Sequence, residues 1–159
     1  MLVQAAMDAL ASFCASKKTL HLVINKVPPE KLKKLSDEEL PPSYLRFLSV
    51  WGTFHVSCGT PFAEEGHECL KLFEADQLGS AALDDAWGDA GEVAIAFQYI
   101  NDDAVDDFYC FNPTIDLGDG EYAVGRAHHD EPLAWDHVGF EEHLAYRIEE
   151  FMEQYAEEE

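Results

Sequence analysis

The chain has 159 residues, 47% hydrophobic and 12% aromatic, which suits one globular domain with a real core and is too apolar for a disordered chain. Ten Lys/Arg against 32 Asp/Glu give a formal net charge of −22, which opposes direct binding to nucleic acid or to an anionic membrane. No apolar run approaches the roughly 20 residues of a membrane-spanning helix, and the opening MLVQAAMDAL has no basic n-region, so neither a span nor a signal peptide is expected.

Leu2 to Phe13 reads as a helix of good helix formers, with Lys17 and Lys18 near its C-terminal end, where cations suit the dipole. Thr19 to Asn25 is rich in strand formers. Pro28-Pro29 opens a short basic helical turn, Glu30 to Leu35. Tyr44, Leu45, Phe47, Leu48 and Trp51 then recur at helical spacing, with Pro42 in the first turn and Gly52 as the stop. Gly59-Thr60-Pro61 is a turn, Leu70 to Leu72 a short strand, and Glu74 to Leu78 a helical turn.

The second half reads as a sheet. Val93, Ile95, Phe97 and Tyr99 alternate with Ala94, Ala96, Gln98 and Ile100, which predicts a strand with its large residues on one face. Phe108 to Phe111 predicts its hairpin partner, ended by Asn112-Pro113. Gly118-Asp119-Gly120 turns the chain into a third strand, Glu121 to Ala127, and Leu133 to Trp135 adds a fourth. The closing helix carries one apolar stripe, Phe140, Leu144, Ile148, Phe151 and Tyr155, with Glu141, Glu142, Glu149, Glu150 and Glu153 largely off it. Strands flanked by helices without βαβ alternation predict an α+β fold: a mostly antiparallel sheet packed with N-terminal helices and a C-terminal helix, in a single domain.

Chemistry-bearing motifs are few. Asp102-Asp103-Ala104-Val105-Asp106-Asp107 lacks the alternate spacing and the glycine of a calcium loop, and Asp116 to Glu121 fails in the same way. His128-His129-Asp130 with His137 superficially resembles a metal cluster, but adjacent histidines on a strand point to opposite faces. Cys58, His67, Cys69 and Cys110 lack the close CxxC pairs of a zinc site. No GxSxG, P-loop or GxGxxG is present, so no cofactor, metal or catalytic set is expected. The four cysteines, Cys14, Cys58, Cys69 and Cys110, read as reduced thiols in a cytoplasmic protein, with Cys110 a small buried residue between Tyr109 and Phe111.

The acid is unevenly placed. Residues 1–60 carry a formal charge of +2 and residues 61–159 carry −24. Two stretches interleave carboxylates with large rings: Asp84, Asp85, Trp87 and Asp89, and then Asp102, Asp103, Asp106 and Asp107 running into Phe108 and Tyr109. Rings can anchor an interface while carboxylates pair with Arg and Lys, so these eight residues from Asp84 to Asp107 are the expected contacts for a basic protein partner. Plain solubility is the competing explanation of the charge.

Four blocks resemble the SUKH superfamily. LPPSYLRFLSVWG (Leu40 to Gly52) is similar to its opening helix, DDFYCFNP (Asp106 to Pro113) to its acidic-aromatic strand, EYAVGRAHHDEP (Glu121 to Pro132) to its strand with a trailing His-Asp, and GFEEHLAYRIEEF (Gly139 to Phe151) to its closing helix. They occur in the family's order over about residues 38–152, with two departures, Trp51-Gly52-Thr53 in place of a Gly-rich turn and a long Gly59 to Gly91 segment. The resemblance implies an α+β fold without a catalytic set. It also implies one of two roles: an immunity protein that neutralises a toxin, often a nuclease, or a scaffold with an endogenous partner.

Overall fold

The computed structural model describes residues 2–18, 20–38, 40–58, 70–73, 94–100, 108–127, 134–135 and 138–156. Among them lie four helices, α1 (Leu2–Ala15), α2 (Pro29–Ser36), α3 (Pro42–Val50) and α4 (Phe140–Tyr155). Seven strands complete the set: β1 (Leu20–Asn25), β2 (Thr53–Cys58), β3 (Lys71–Leu72), β4 (Ile95–Tyr99), β5 (Phe108–Gly118), β6 (Glu121–Ala127) and β7 (Ala134–Trp135). The strands form one sheet in chain order, β1-β2-β3-β4-β5-β6-β7, and every neighbouring pair is antiparallel. The fold is α+β, with N-terminal helices and a C-terminal helix packed on an antiparallel sheet, as the sequence predicts.

The helices bury the faces that their periodicity marks. α1 presents Val3, Met7, Leu10 and Cys14, and packs against α4. On α4 all five stripe residues are buried, together with His143. The two helices are also tied at their ends, because the Lys17 ammonium donates to the Ala156 carbonyl at 3.0 Å, close to the C-terminus of α4 where a cation suits the dipole. α3 ends the same way: Lys26 Nζ donates to the Val50 carbonyl at 2.9 Å. Gly52 follows at φ +97°, and a Cβ there would lie 2.2 Å from the Asn25 carbonyl oxygen. Only glycine lets the end of α3 pass this close to the end of β1.

One aromatic cluster joins α3, α4 and the sheet. Phe97 stacks on Phe111 at 4.0 Å between centroids and 8° between planes. Tyr44 meets Phe111 and Phe140 edge-on, each at 5.2 Å, and Phe47 meets Phe140 at 5.5 Å. Such pairs add about 0.5–1.5 kcal/mol each to the gain from burial. The other face of the sheet holds a smaller buried cluster of Phe73, Ala96, Phe108, Cys110 and Ala127.

Two expected features differ. The simple alternation over Val93 to Ile100 is broken: Ala96 pairs with Cys110 and Gln98 with Tyr109, so Phe97 is an extra residue, a β-bulge. The bulge lets both Phe97 and Gln98 reach α4, where each contacts His143. Tyr99 is displaced towards the second face, against Phe73 at 4.4 Å. The second difference is β5, which does not end at Asn112-Pro113 but continues to Gly118. Its register with β6 shifts between Asn112 and Asp116, so Pro113 sits where the regular ladder is interrupted. There the Asn112 side chain accepts from the Thr114 N–H at 2.9 Å and from the Thr114 hydroxyl at 2.6 Å.

Candidate functional site

The eight predicted contacts, Asp84, Asp85, Trp87, Asp89, Asp102, Asp103, Asp106 and Asp107, lie outside the described residues, as do His128, His129, Asp130 and His137. What the fold does place are four other carboxylates, brought together from separate parts of the sequence.

β5 and β6 are joined by a two-residue loop, Asp119-Gly120, with φ +55° and +80°. Both positive values match a type I′ turn, and Asp-Gly is a favoured pair for it. The Asp116 carboxylate steadies the approach by accepting from the Gly118 N–H at 2.8 Å. Gly120 packs against the Pro42 ring, where an added Cβ would lie 3.5 Å from Pro42 Cδ. The hairpin tip therefore rests on the first turn of α3.

The contact is chemical as well as steric. Glu121, the first residue of β6, accepts from the Ser43 backbone N–H at 3.0 Å and from the Ser43 hydroxyl. α3 has Pro41 at its N-cap position and no side-chain cap of its own. A carboxylate from a strand 78 positions away thus satisfies one of its orphan donors and meets the positive end of its dipole. Replacing Glu121 with alanine is expected to reduce stability by about 1–2 kcal/mol, read as a lower urea midpoint with unchanged m-value.

α4 begins beside this junction. Its N-cap, Gly139, lies near Glu121 Oε1 and Leu117 Cδ1, each 3.8 Å from where a Cβ would sit. Between the two helix starts and the hairpin runs a groove of about 610 Å³. Pro42, Leu117, Val138 and Phe140 give it apolar walls, Asp119, Glu121, Glu141 and Glu142 give it carboxylates, and Arg46 is the cation among the described lining residues. Oε1 of Glu141 is a buried atom without a hydrogen-bond partner among the described residues. Among the described residues no group of three or more His, Cys, Asp or Glu is arranged to hold a metal ion.

The acid continues along α4. Glu142, Glu149 and Glu153 are exposed on its outer side, and Tyr146 among them is 58% exposed. Arg147 lies between rings, 5.0 Å from the Tyr109 centroid and 4.9 Å from that of Tyr146, and pairs with Glu150 at 3.2 Å. Asp119, the groove carboxylates and the outer side of α4 form one acidic surface with an aromatic in it. The sequence reading placed the glutamates largely off the apolar stripe and did not single out Tyr146, whose signal is a large ring off that stripe.

Beneath this surface is a buried polar pair the sequence reading also missed. His143 Nε2 lies 2.9 Å from Gln98 Oε1, an acceptor, so Nε2 carries the proton. Burial first, and then the Arg147 guanidinium, push the imidazole down to about 3, so it is neutral. The buried cysteines are inert: burial raises both thiols, Cys110 to about 12. Cys14 and Cys110 are both free and buried. No described helix is long and apolar enough to cross a membrane.

No protein-family model, curated protein or solved structure matches the chain.

Proposed function

We propose that this is a non-enzymatic, cytoplasmic immunity-type protein that binds and neutralises a basic toxin domain, with a nuclease as the favoured class. The observation that carries the reading is the −24 held by residues 61–159. Its described part is the acidic surface that runs from Asp119 across the groove to Glu153. Nucleases that grip a polyanion carry basic surfaces, and an inhibitor that presents carboxylates competes for them. Steered encounter also raises the association rate, which suits protection against a toxin. The SUKH resemblance of the four sequence blocks belongs to the same proposal, as do contacts from the two aspartate-rich stretches.

The test is capture of partners from native lysate at low and high salt, followed by growth rescue when the captured protein is expressed as a toxin. A basic, salt-sensitive partner whose toxicity this protein abolishes is the expected result. Reversing Asp84, Asp85, Asp102 and Asp103 to lysine should then slow association by tenfold or more, a rough scale for loss of steering. A partner that is not toxic, or affinity indifferent to both salt and charge reversal, would sink the reading.

A further inference from the structure

We infer that the outer edge of β1 takes up an extended, carboxylate-bearing strand of a partner protein and adds it to the sheet. The inference stands apart from the neutralisation reading, because it concerns an end of the sheet built from acid-free sequence.

The hydrogen-bond phase of this edge follows from β2. The Val56 N–H donates to the Leu70 carbonyl at 2.9 Å, so Val56 turns its backbone groups away from β1. Leu22 stands opposite Val56, which makes them a non-hydrogen-bonded pair of the antiparallel ladder. Leu22 therefore turns its own N–H and C=O outward, and Leu20 and Ile24, one period away on either side, do the same. β1 ends the sheet, and among the described residues no backbone group meets this row. Nor does the strand carry the usual protection of an edge. Its six residues pair with β2 in unbroken register, without a proline, a bulge, a lysine or a carboxylate.

Charge selects the occupant. β1 and β2 lie in stretches 9–29 and 40–63, which hold no Asp or Glu in a chain that has 32. Lys17 and Lys18 precede β1 and Lys26 follows it. Lys17 and Lys26 are held by their bonds to helix-end carbonyls, and Lys18 is exposed. Leu22 and Ile24 pack on the main core, so His21 lies on the opposite face, together with His55 of β2 and Lys71, which pairs with His55. An acidic strand meets basic groups on that face and at both ends of β1. A second copy does not, because an antiparallel pair centred on Leu22 would set Lys18 opposite the copy's Lys26, and like charges directly opposite repel. The net charge of −22 acts weakly here, since salt screens exposed charges beyond about 8 Å under physiological conditions. In such strand addition the backbone supplies affinity and alternate side chains supply specificity. Apolar side chains of the incoming strand continue the row of Leu20, Leu22 and Ile24, and its carboxylates lie on the His21 face.

The probe is the peptide acetyl-Glu-Val-Glu-Val-Glu-Val-Glu-amide, followed by amide NMR shifts and hydrogen exchange on the full chain. The same peptide with Gln for Glu is the control. Saturable shifts along β1 are expected with the acidic peptide. Exchange at the Leu22 and Ile24 amides should slow by about tenfold or more, while His21 and Val23, already bonded to β2, stay unchanged. Binding should weaken about tenfold in K18E/H21E, the scale of two or three exposed charge pairs. Both substitutions are at exposed positions, and the variant's own amide spectrum reports whether the fold is retained. Equal binding of the Gln peptide, shifts without slower exchange at Leu22 and Ile24, or unchanged affinity in a folded K18E/H21E would overturn the inference. So would slow exchange of those two amides in the free protein, which would mean that the edge is already covered. If that protection disappears on dilution, the occupant is a second copy and not an acidic strand.

Discussion

Replacing Phe97 with alanine is expected to remove about 3–5 kcal/mol of stability, a large share of the 5–15 kcal/mol typical of a domain. Phe97 is fully buried, stacks on Phe111 and meets Tyr44, Phe140 and His143. Truncation therefore opens a cavity at the point where α3, α4 and the sheet join. It also removes the ring that the bulge in β4 exists to place. Urea unfolding followed by circular dichroism at neutral pH is the check, with Phe97→Leu as the comparison that retains most of the volume. Leucine is expected to lose roughly 1–2 kcal/mol, as a change of shape in a packed site does. An alanine variant within about 1 kcal/mol of the parent would show that the cluster collapses around the gap, against the packing described above.

The second large effect is on pH dependence, and its source is His143. Its folded value of about 3 lies below the ordinary 6.5, so the unfolded chain binds the proton more readily. Stability from this group is therefore present in full above about pH 6.5 and is lost as pH falls towards 3. The complete loss is on the order of 4–5 kcal/mol at about 1.4 kcal/mol per unit, and about 2 kcal/mol of it falls between pH 6.5 and pH 5. The groups facing the ring are Gln98, Phe97 and Tyr109 from the sheet and Arg147 from its own helix. Contributions from the other titratable groups cancel when parent and variant are compared. His143→Gln keeps a neutral polar partner for Gln98. It is expected to be less stable than the parent at pH 7, with a flatter slope between pH 6.5 and pH 5. Equal slopes would mean that the imidazole is solvated in the native state.

What could be read from the sequence was governed by local period. α4 has the predicted residues because it buries one face along its whole length, and β6 because the Asp119-Gly120 turn sets its start. α3 was legible from Pro42 at its start and Gly52 at its stop. β2 was missed: Phe54 and Val56 do alternate with His55 and Ser57, but the run is short and follows the helix after a single glycine. The bulge at Phe97 leaves no local mark either, since its reasons are a stack on Phe111 and a hydrogen bond that Gln98 accepts from a residue 45 positions away. His143 could have been suspected, because it stands three residues after Phe140 and one before Leu144, on the buried side of α4. The groove could not. Asp119, Glu121, Glu141 and Glu142 become neighbours only after the β5–β6 turn docks on α3, and no spacing in the chain encodes that contact.

The order of the sheet has a consequence for synthesis on the ribosome. Each strand pairs with the next strand in the chain, so the sheet can zip up progressively as the polypeptide emerges. Of the described elements α1 is made first, yet it packs against α4, which is made last. α1 also meets β1 soon after synthesis, but the part of its apolar face that α4 covers must wait while more than a hundred residues are translated. At the usual 5–20 residues per second that interval is on the order of ten seconds, long enough for a holding chaperone to engage the nascent helix. Closing α1 onto α4 is then the last, longest-range step of folding, and it can begin only when α4 has cleared the exit tunnel.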